Sequence, residues 1–129
     1  MGRPENLRYA STHEWVQIDG NIVTVGITDF AVEQLSDLVF LELPELDSTL
    51  KREDPFGEIE STKTVSNLYA PVSGNIIEVN EVIVEDLDIL KNSPYEDGWM
   101  IKIEMSNPDD LDSLITADQY EEQLKLEEH

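Results

Sequence analysis

Apolar and polar residues alternate in short stretches along the first two thirds of the chain. In the segment VQIDGNIVTVGI, two alternating stretches flank Asp19-Gly20-Asn21, a sequence typical of a tight hairpin turn. Val23, Val25 and Ile27 fall on one face of the second stretch, as in a strand with one buried side. The pattern therefore predicts a β-hairpin at this point.

A short helix and several further strands are predicted next. Thr28 or Asp29 is a suitable N-cap for the helix. In the stretch LVFLELPEL that follows, Val39, Leu41 and Leu43 are predicted to share one face of a strand. Later strands are indicated by the segments FGEIE, LYAPV, IIEVN and WMIKIEM.

The last part of the chain changes to helical spacing. Asn107-Pro108 is typical of a helix start, with asparagine as N-cap and proline at the first helical position. Thr116 and Gln119 match a capping box for a final helix. We expect a C-terminal helical tail at about 107–126.

Many short strands with a small helical tail indicate a mainly β fold, a flattened barrel or sandwich with a short internal helix. No glycine-rich linker or low-complexity tract divides the sequence. We therefore expect one domain over residues 1–129, with an N-terminal arm at about 1–8.

The charge of the chain restricts its partners. It has 8 basic and 29 acidic residues and a net charge of −21. Such a surface repels phosphate backbones and anionic membranes, so neither nucleic acid nor membrane is expected as a partner. It suits basic partner proteins. No cysteine is present, which excludes disulfides and thiolate metal sites.

Signatures of catalysis are scarce. The two histidines, His13 and His129, do not form a metal-ligand pattern. The sequence has no GxSxG, P-loop or GxGxxG motif. We therefore predict no catalytic residue and no metal site, and a protein that carries or binds rather than an enzyme.

One lysine stands in a context that changes this picture. Glu60-Ser61-Thr62-Lys63, followed by the segment YAPVSG, resembles the lipoyl-lysine region of the glycine cleavage system H-protein family. Further blocks match that family in order along almost the whole chain: HEWV, VGITD, VFLELPE and PYEDGW. Five ordered blocks are far more specific than a single ESTK match.

The resemblance implies a barrel-sandwich hybrid fold, with Lys63 at the tip of a hairpin and linked to lipoic acid as N6-lipoyllysine. It implies a carrier that accepts the aminomethyl group of glycine from a pyridoxal-phosphate decarboxylase, the P-protein. The folate-dependent aminomethyltransferase, or T-protein, then receives the group. Dihydrolipoamide dehydrogenase, or L-protein, reoxidises the arm.

The resemblance also assigns roles to other residues. Glu14 is expected near the loaded arm, where a carboxylate suits a protonated amine, and Thr12 is a candidate hydroxyl partner. Asn67 stands where the family usually has an aspartate, so it offers hydrogen bonds without charge. The lipoate-attaching enzyme is expected to recognise the residues around the lysine: Glu60, Ser61, Thr62 and Thr64.

Alternatives within the carrier class are separated by a few residues. Biotinyl carrier domains flank their lysine with methionines, whereas Thr62 and Thr64 stand here. Lipoyl domains of 2-oxoacid dehydrogenases are shorter and lack the HEWV block and the helical tail. An H-like protein that serves only as a lipoyl donor or regulatory binder is not separated by sequence.

The sequence contains fewer signals for the cellular compartment of the protein. The first residues have neither the apolar core of a signal peptide nor the composition of a transit peptide. We expect the bacterial cytoplasm, or the mitochondrial matrix if a transit peptide has been removed. A monomer is expected for a shuttling carrier.

Overall fold

The computed structural model of the chain describes residues 6–35 and 37–127. Most of the predicted N-terminal arm, together with His129, lies outside them. Nine strands are present: β1 (Arg8–Tyr9), β2 (Glu14–Asp19), β3 (Ile22–Ile27), β4 (Leu38–Glu42), β5 (Thr49–Leu50), β6 (Pro55–Ser61), β7 (Val65–Tyr69), β8 (Gly74–Val79) and β9 (Ile101–Met105). The helices are α1 (Asp29–Leu35), α2 (Val82–Glu85), α3 (Asp88–Asn92), a 3₁₀ helix (Pro108–Ser113) and α4 (Ala117–Glu127).

The strands form two antiparallel sheets. The larger has six strands in the order β1-β2-β3-β9-β8-β5, and the smaller has three in the order β4-β6-β7. Their inner faces share one apolar core, to which Val25 and Ile103 contribute from the large sheet and Leu41 and Ile59 from the small one. This mainly β arrangement of two sheets with a short internal helix and C-terminal helices confirms the predicted fold.

The predicted first hairpin is confirmed. Strands β2 and β3 are antiparallel, and the pair next to the turn is Asp19 opposite Ile22. Gly20 and Asn21 therefore form a two-residue turn. Gly20 has a φ of +62°, a conformation that glycine adopts without steric cost. The side chains predicted to be buried in β3 lie in the core.

The predicted helix caps are confirmed as well. The Thr28 hydroxyl accepts a hydrogen bond of 3.2 Å from the backbone N–H three residues later. The Thr116 backbone N–H donates to the Gln119 side chain at 2.9 Å, and the Gln119 N–H donates back to the Thr116 hydroxyl at 3.2 Å. The Asn107 side chain caps its helix too, but that helix is 3₁₀ rather than α.

The prediction that Val39 shares the inward face with Leu41 is wrong. The pairing of β4 with β6 shifts register between Leu38 and Phe40, so Val39 is the extra residue of a β-bulge. An extra residue breaks the two-residue alternation of faces. Val39 is consequently 54% exposed, whereas Leu41 is buried.

Strands β4 and β6 approach closely at a glycine. A Cβ atom on Gly57 would lie 2.2 Å from the backbone oxygen of Glu42, well inside van der Waals contact. Because no side chain stands at this position, β4 can pair with β6 along the strand that leads to Lys63. The close contact fixes one side of the lysine hairpin to the rest of the small sheet.

The C-terminal helix covers the end of the large sheet opposite β5. Its Tyr120 ring stacks on Tyr9 of β1, with 4.9 Å between ring centroids and 10° between ring planes. Both belong to a second apolar cluster, which also contains Trp15 and Leu124. This packing anchors the start of β2, where Glu14 lies.

Candidate functional site

Lys63 lies at the middle of the connection between β6 and β7. Only Thr62, Lys63 and Thr64 separate the two strands, and all three are exposed. Within residues 6–35 and 37–127, no ion pair involves the Lys63 ammonium group. The lysine is therefore presented to solvent at the tip of a hairpin, as predicted from the sequence resemblance.

Ser61 determines the shape of this turn. Its hydroxyl oxygen accepts the backbone N–H of Lys63 at 3.3 Å and that of Thr64 at 3.2 Å. The Ser61 backbone N–H donates to the Thr64 carbonyl at 2.8 Å, and the Thr62 N–H donates to the Asp37 carbonyl at 3.0 Å. These bonds satisfy the backbone groups of the turn and tie its tip to the segment before β4.

The four residues expected to guide the attaching enzyme occupy different environments. Thr62 and Thr64 flank the lysine and are exposed, and Glu60 is partly exposed on β6. Ser61 is buried, with 7% of its surface exposed. A partner protein can therefore touch the threonines and the glutamate directly, whereas Ser61 acts on the backbone that holds them.

Glu14 lies at the start of β2 and is almost completely buried, with 1% of its surface exposed. One carboxylate oxygen accepts the Tyr69 backbone N–H at 3.2 Å, and the other accepts the Thr12 hydroxyl. Tyr69 is the last residue of β7, which begins two residues after Lys63. Four residue steps of strand span about 13 Å, so Glu14 lies roughly that far from the start of β7.

Burial raises the pKa of Glu14 to about 7, because the ionised form loses its hydration. The hydrogen bonds from the Thr12 hydroxyl and the Tyr69 N–H act in the opposite direction. At neutral pH the carboxyl group is thus close to its midpoint of ionisation. A cationic group placed beside it would favour the ionised form.

A cleft of about 290 Å³ runs between α1 and β7. Its lining combines apolar side chains with the polar groups assigned to the arm: Thr12, Glu14, Phe30, Leu35, Ile59 and Asn67. Asn67 is exposed at the rim, and Glu14 lies below the surface. The structure therefore brings Thr12 and Glu14 together in this cleft. Asn67 borders the cleft at its rim, but its side chain projects to the opposite face of β7 from Ser66 and Leu68.

His13 also lines this cleft, a position that no sequence pattern predicts. Its φ is +78°, which is uncommon for a residue with a side chain. The ring Nδ1 lies 2.7 Å from the Tyr120 hydroxyl oxygen, which is itself 2.7 Å from that of Thr28. This network connects the cleft wall to α4, and no local motif in the sequence signals such a contact across 107 residues.

The described residues offer neither a metal-binding cluster nor a membrane-spanning helix. Between residues 6 and 127, with residue 36 left aside, no three histidine or acidic side chains are placed to hold a metal ion. No helix in the same ranges is long and apolar enough to cross a membrane.

We predict that Ser61→Ala loosens the lysine turn without unfolding the protein. The N–H groups of Lys63 and Thr64 lose their acceptor, which costs about 1 kcal/mol of local stability. Amide hydrogen exchange at these two residues should accelerate about fivefold. The amides of Ile59 and Leu68, deeper in the hairpin, serve as internal references in an NMR measurement. Unchanged exchange at Lys63 and Thr64 would show that Ser61 does not control the turn.

We predict that Glu14→Gln changes stability in a pH-dependent way. The folded pKa of about 7 lies above the ordinary value of 4.5, so between these values the unfolded state ionises first. Wild type therefore loses stability as pH rises through this window, and the loss is nearly complete about one unit above the folded pKa. Relative to wild type, the variant should gain about 2.5 kcal/mol between pH 5 and pH 8. Urea unfolding at both pH values measures the gain, and an equal difference at both would contradict it.

Comparison with known proteins agrees with the geometry. The family model for the glycine cleavage H-protein matches residues 7–127. The glycine cleavage system H protein of Staphylococcus haemolyticus is 49% identical over 124 residues, covering 96% of this chain and 98% of that protein. The corresponding protein of Staphylococcus epidermidis is 50% identical over 124 residues, with the same coverage.

A solved structure agrees as well. The crystal structure of a glycine cleavage system H protein from Mycobacterium marinum superposes with a TM-score of 0.86 at 40% identity, covering 95% of this chain and 99% of that one. Both the sequence and the arrangement of the two sheets are therefore shared over nearly the full length. The chain belongs to the glycine cleavage H-protein family.

Proposed function

We propose that this chain is the lipoyl-carrying shuttle of the glycine cleavage system, with lipoic acid joined to Lys63 through an amide bond. The observation that carries the proposal is the placement of Lys63, exposed and without an ion pair in the described residues, at the tip of a short turn. The same hairpin borders a cleft that contains a buried carboxyl group. A long flexible arm attached at the tip is clear of the protein body and can reach other enzymes.

The residues present suit a covalent lipoyl group. The unbranched Lys63 side chain offers a primary amine that no described residue blocks, and acylation removes its charge without breaking an ion pair. When bound, the dithiolane supplies the sulfur chemistry on which a one-carbon unit is carried. The protein supplies position and recognition, so we assign it a non-catalytic carrier role.

The partners follow from this role. The shuttle takes the aminomethyl group of glycine from the P-protein, delivers it to the T-protein, and returns to the oxidised state through the L-protein. A separate lipoate-attaching enzyme modifies Lys63 beforehand. Tethering keeps the carried group at high effective concentration beside each docked enzyme. A monomer is sufficient for every one of these encounters.

The cleft beside β7 is the resting place that we assign to the loaded arm. Part of its lining is apolar, and Glu14 at its base provides a carboxylate for the amine of the carried group. Thr12 holds one carboxylate oxygen and the Tyr69 N–H holds the other, so the carboxyl group keeps a fixed orientation. Asn67 at the rim carries no charge, so Glu14 is the acidic side chain in the lining of this cleft.

We assign the exposed Glu60, Thr62 and Thr64 to recognition by the attaching enzyme, with Ser61 fixing the turn that presents them.

The relatives compared above come from bacteria, which supports a bacterial cytoplasmic location over the mitochondrial matrix. The alternative of a protein that only donates lipoate or binds a regulator is not favoured, because the match to the family extends over both sheets and the tail.

The first test is the attachment itself. Incubation with a lipoate-attaching enzyme, lipoate and ATP should add a single lipoyl group, located at Lys63 by intact mass and peptide mapping. Lys63→Arg should abolish the increment, because the guanidinium is not acylated. Lys51→Arg, a matched change at another exposed lysine, should leave it intact. No increment on wild type, or an increment elsewhere, would overturn the carrier assignment.

A second prediction isolates Glu14. Glu14→Gln should be lipoylated at the wild-type rate, because Glu14 lies away from the turn. Once loaded with the aminomethyl group, the variant should lose it to water about tenfold faster, since a charge-assisted hydrogen bond of roughly 1.5 kcal/mol is absent. The half-life of the loaded carrier without folate measures this loss. Glu85→Gln in α2 is the control, and equal half-lives for both variants would remove Glu14 from the site.

A further inference from the structure

The outward side of the small sheet carries an ordered set of side chains next to Lys63. Phe40 on β4 is paired in register with Glu60 on β6, which is paired with Val65 on β7. Directly paired residues on neighbouring strands project to the same face of a sheet. Two residues further from the turn, a second row repeats the arrangement. We call these two rows the outer face, formed by Phe40, Glu60, Val65, Glu42, Glu58 and Asn67.

The outer face exposes apolar side chains that the core does not use. Phe40 is 45% exposed and Val65 is 56% exposed, while their neighbours Leu41 and Leu68 point into the core. Strands about 4.8 Å apart place Phe40 and Val65 roughly 10 Å from each other, with Glu60 between them. Large apolar side chains exposed together and bordered by polar groups are typical of an interaction surface.

The charged residues of the outer face are all acidic. Strands β4, β6 and β7 contain Glu42, Glu58 and Glu60 but no lysine or arginine. Across residues 6–35 and 37–127, none of these three carboxylates takes part in an ion pair. A partner with lysine or arginine around an apolar contact would complement this surface in both charge and polarity.

Distance from the lysine determines which partner needs this surface. Enzymes that act on a lipoyl dithiolane reach the far end of a long arm and need not touch the strands near its root. The enzyme that attaches the group must instead bring its acyl carbonyl to the Lys63 amine itself. Its surface therefore covers the residues next to the turn, and Val65 is two residues from Lys63 while Glu60 is three.

We propose that the outer face is the docking surface of the lipoate-attaching enzyme, with Phe40 and Val65 as apolar anchors on either side of Glu60. This inference rests on the proposed function.

The chemistry of attachment agrees with the acidic charge of the outer face. The Lys63 amine attacks the carbonyl carbon of a lipoyl-adenylate, and the bond from that carbon to the phosphate oxygen breaks. AMP leaves with the electron pair, and the nitrogen releases its proton. An enzyme that holds the adenylate phosphate has cationic groups beside the point of attack.

The test compares lipoylation of Phe40→Ser and Val65→Thr with that of wild type, using a lipoate-attaching enzyme, lipoate and ATP. Each variant should lower kcat/KM about tenfold, mainly through a higher KM. Leu126→Ser and Val82→Thr are matched changes at exposed residues on α4 and α2, and they should stay within twofold. Urea unfolding of each variant confirms that the fold is retained, and Val65→Thr keeps a β-branched side chain in the strand.

Further measurements distinguish the attaching enzyme from other occupants of the outer face. Wild-type rates for both outer-face variants would overturn the docking surface while leaving the lipoyl carrier intact, whereas an unmodified wild type would remove both. Lipoylated Phe40→Ser, prepared with excess enzyme, should be turned over by the glycine decarboxylase at the wild-type rate. A tenfold loss there as well would contradict the assignment to the attaching enzyme alone. Dissociation of a wild-type dimer by Phe40→Ser would identify a second copy of the chain as the occupant instead.

Discussion

The hydrogen bond from the Tyr69 backbone N–H to the Glu14 carboxylate connects the two sheets at the site. Glu14 is the first residue of β2 in the large sheet, and Tyr69 is the last residue of β7, an edge strand of the small sheet. Since β7 begins at the lysine turn, this contact fixes the base of the hairpin while Ser61 fixes its tip. A hairpin held at both ends keeps the attachment point in place, so that flexibility resides in the lysine side chain and whatever it carries.

Burial of Glu14 has an energetic consequence for the whole fold. A carboxyl group with a folded pKa of about 7 destabilises the native state at neutral pH relative to an ordinary surface glutamate. The surrounding packing offsets this cost: Trp15 lies next to Glu14 on β2, and the Tyr9–Tyr120 stack anchors the same end of the large sheet. Functional residues often lower the stability of the native state, and the packing around them offsets that cost.

Much of the fold and part of the site could be predicted from the sequence, for reasons that differ between elements. The Asp19-Gly20-Asn21 turn and the Thr116–Gln119 box are local signals, in which a few adjacent residues determine the geometry. The Val39 bulge depends on the register with β6, which alternation of apolar residues does not encode. Helices α2 and α3 are not predictable from apolar spacing, because four or five residues are too few to show a helical period. Lys63 is identified as the attachment point by family resemblance, whereas the contact of His13 with Tyr120 can be seen only in the tertiary structure.

The charge distribution suits the proposed shuttle, which has to meet several enzymes in turn. A net charge of −21 attracts basic surfaces from a distance and speeds encounter, but long-range attraction falls with salt and adds little to residence time. Short-range contacts must then select the partner, and apolar side chains such as Phe40 provide them only where they are exposed. Phe40 and Val65 are exposed close to the lysine turn, so an enzyme that must approach Lys63 closely gains these apolar contacts. An enzyme that works at the end of the arm relies on charge and can leave quickly.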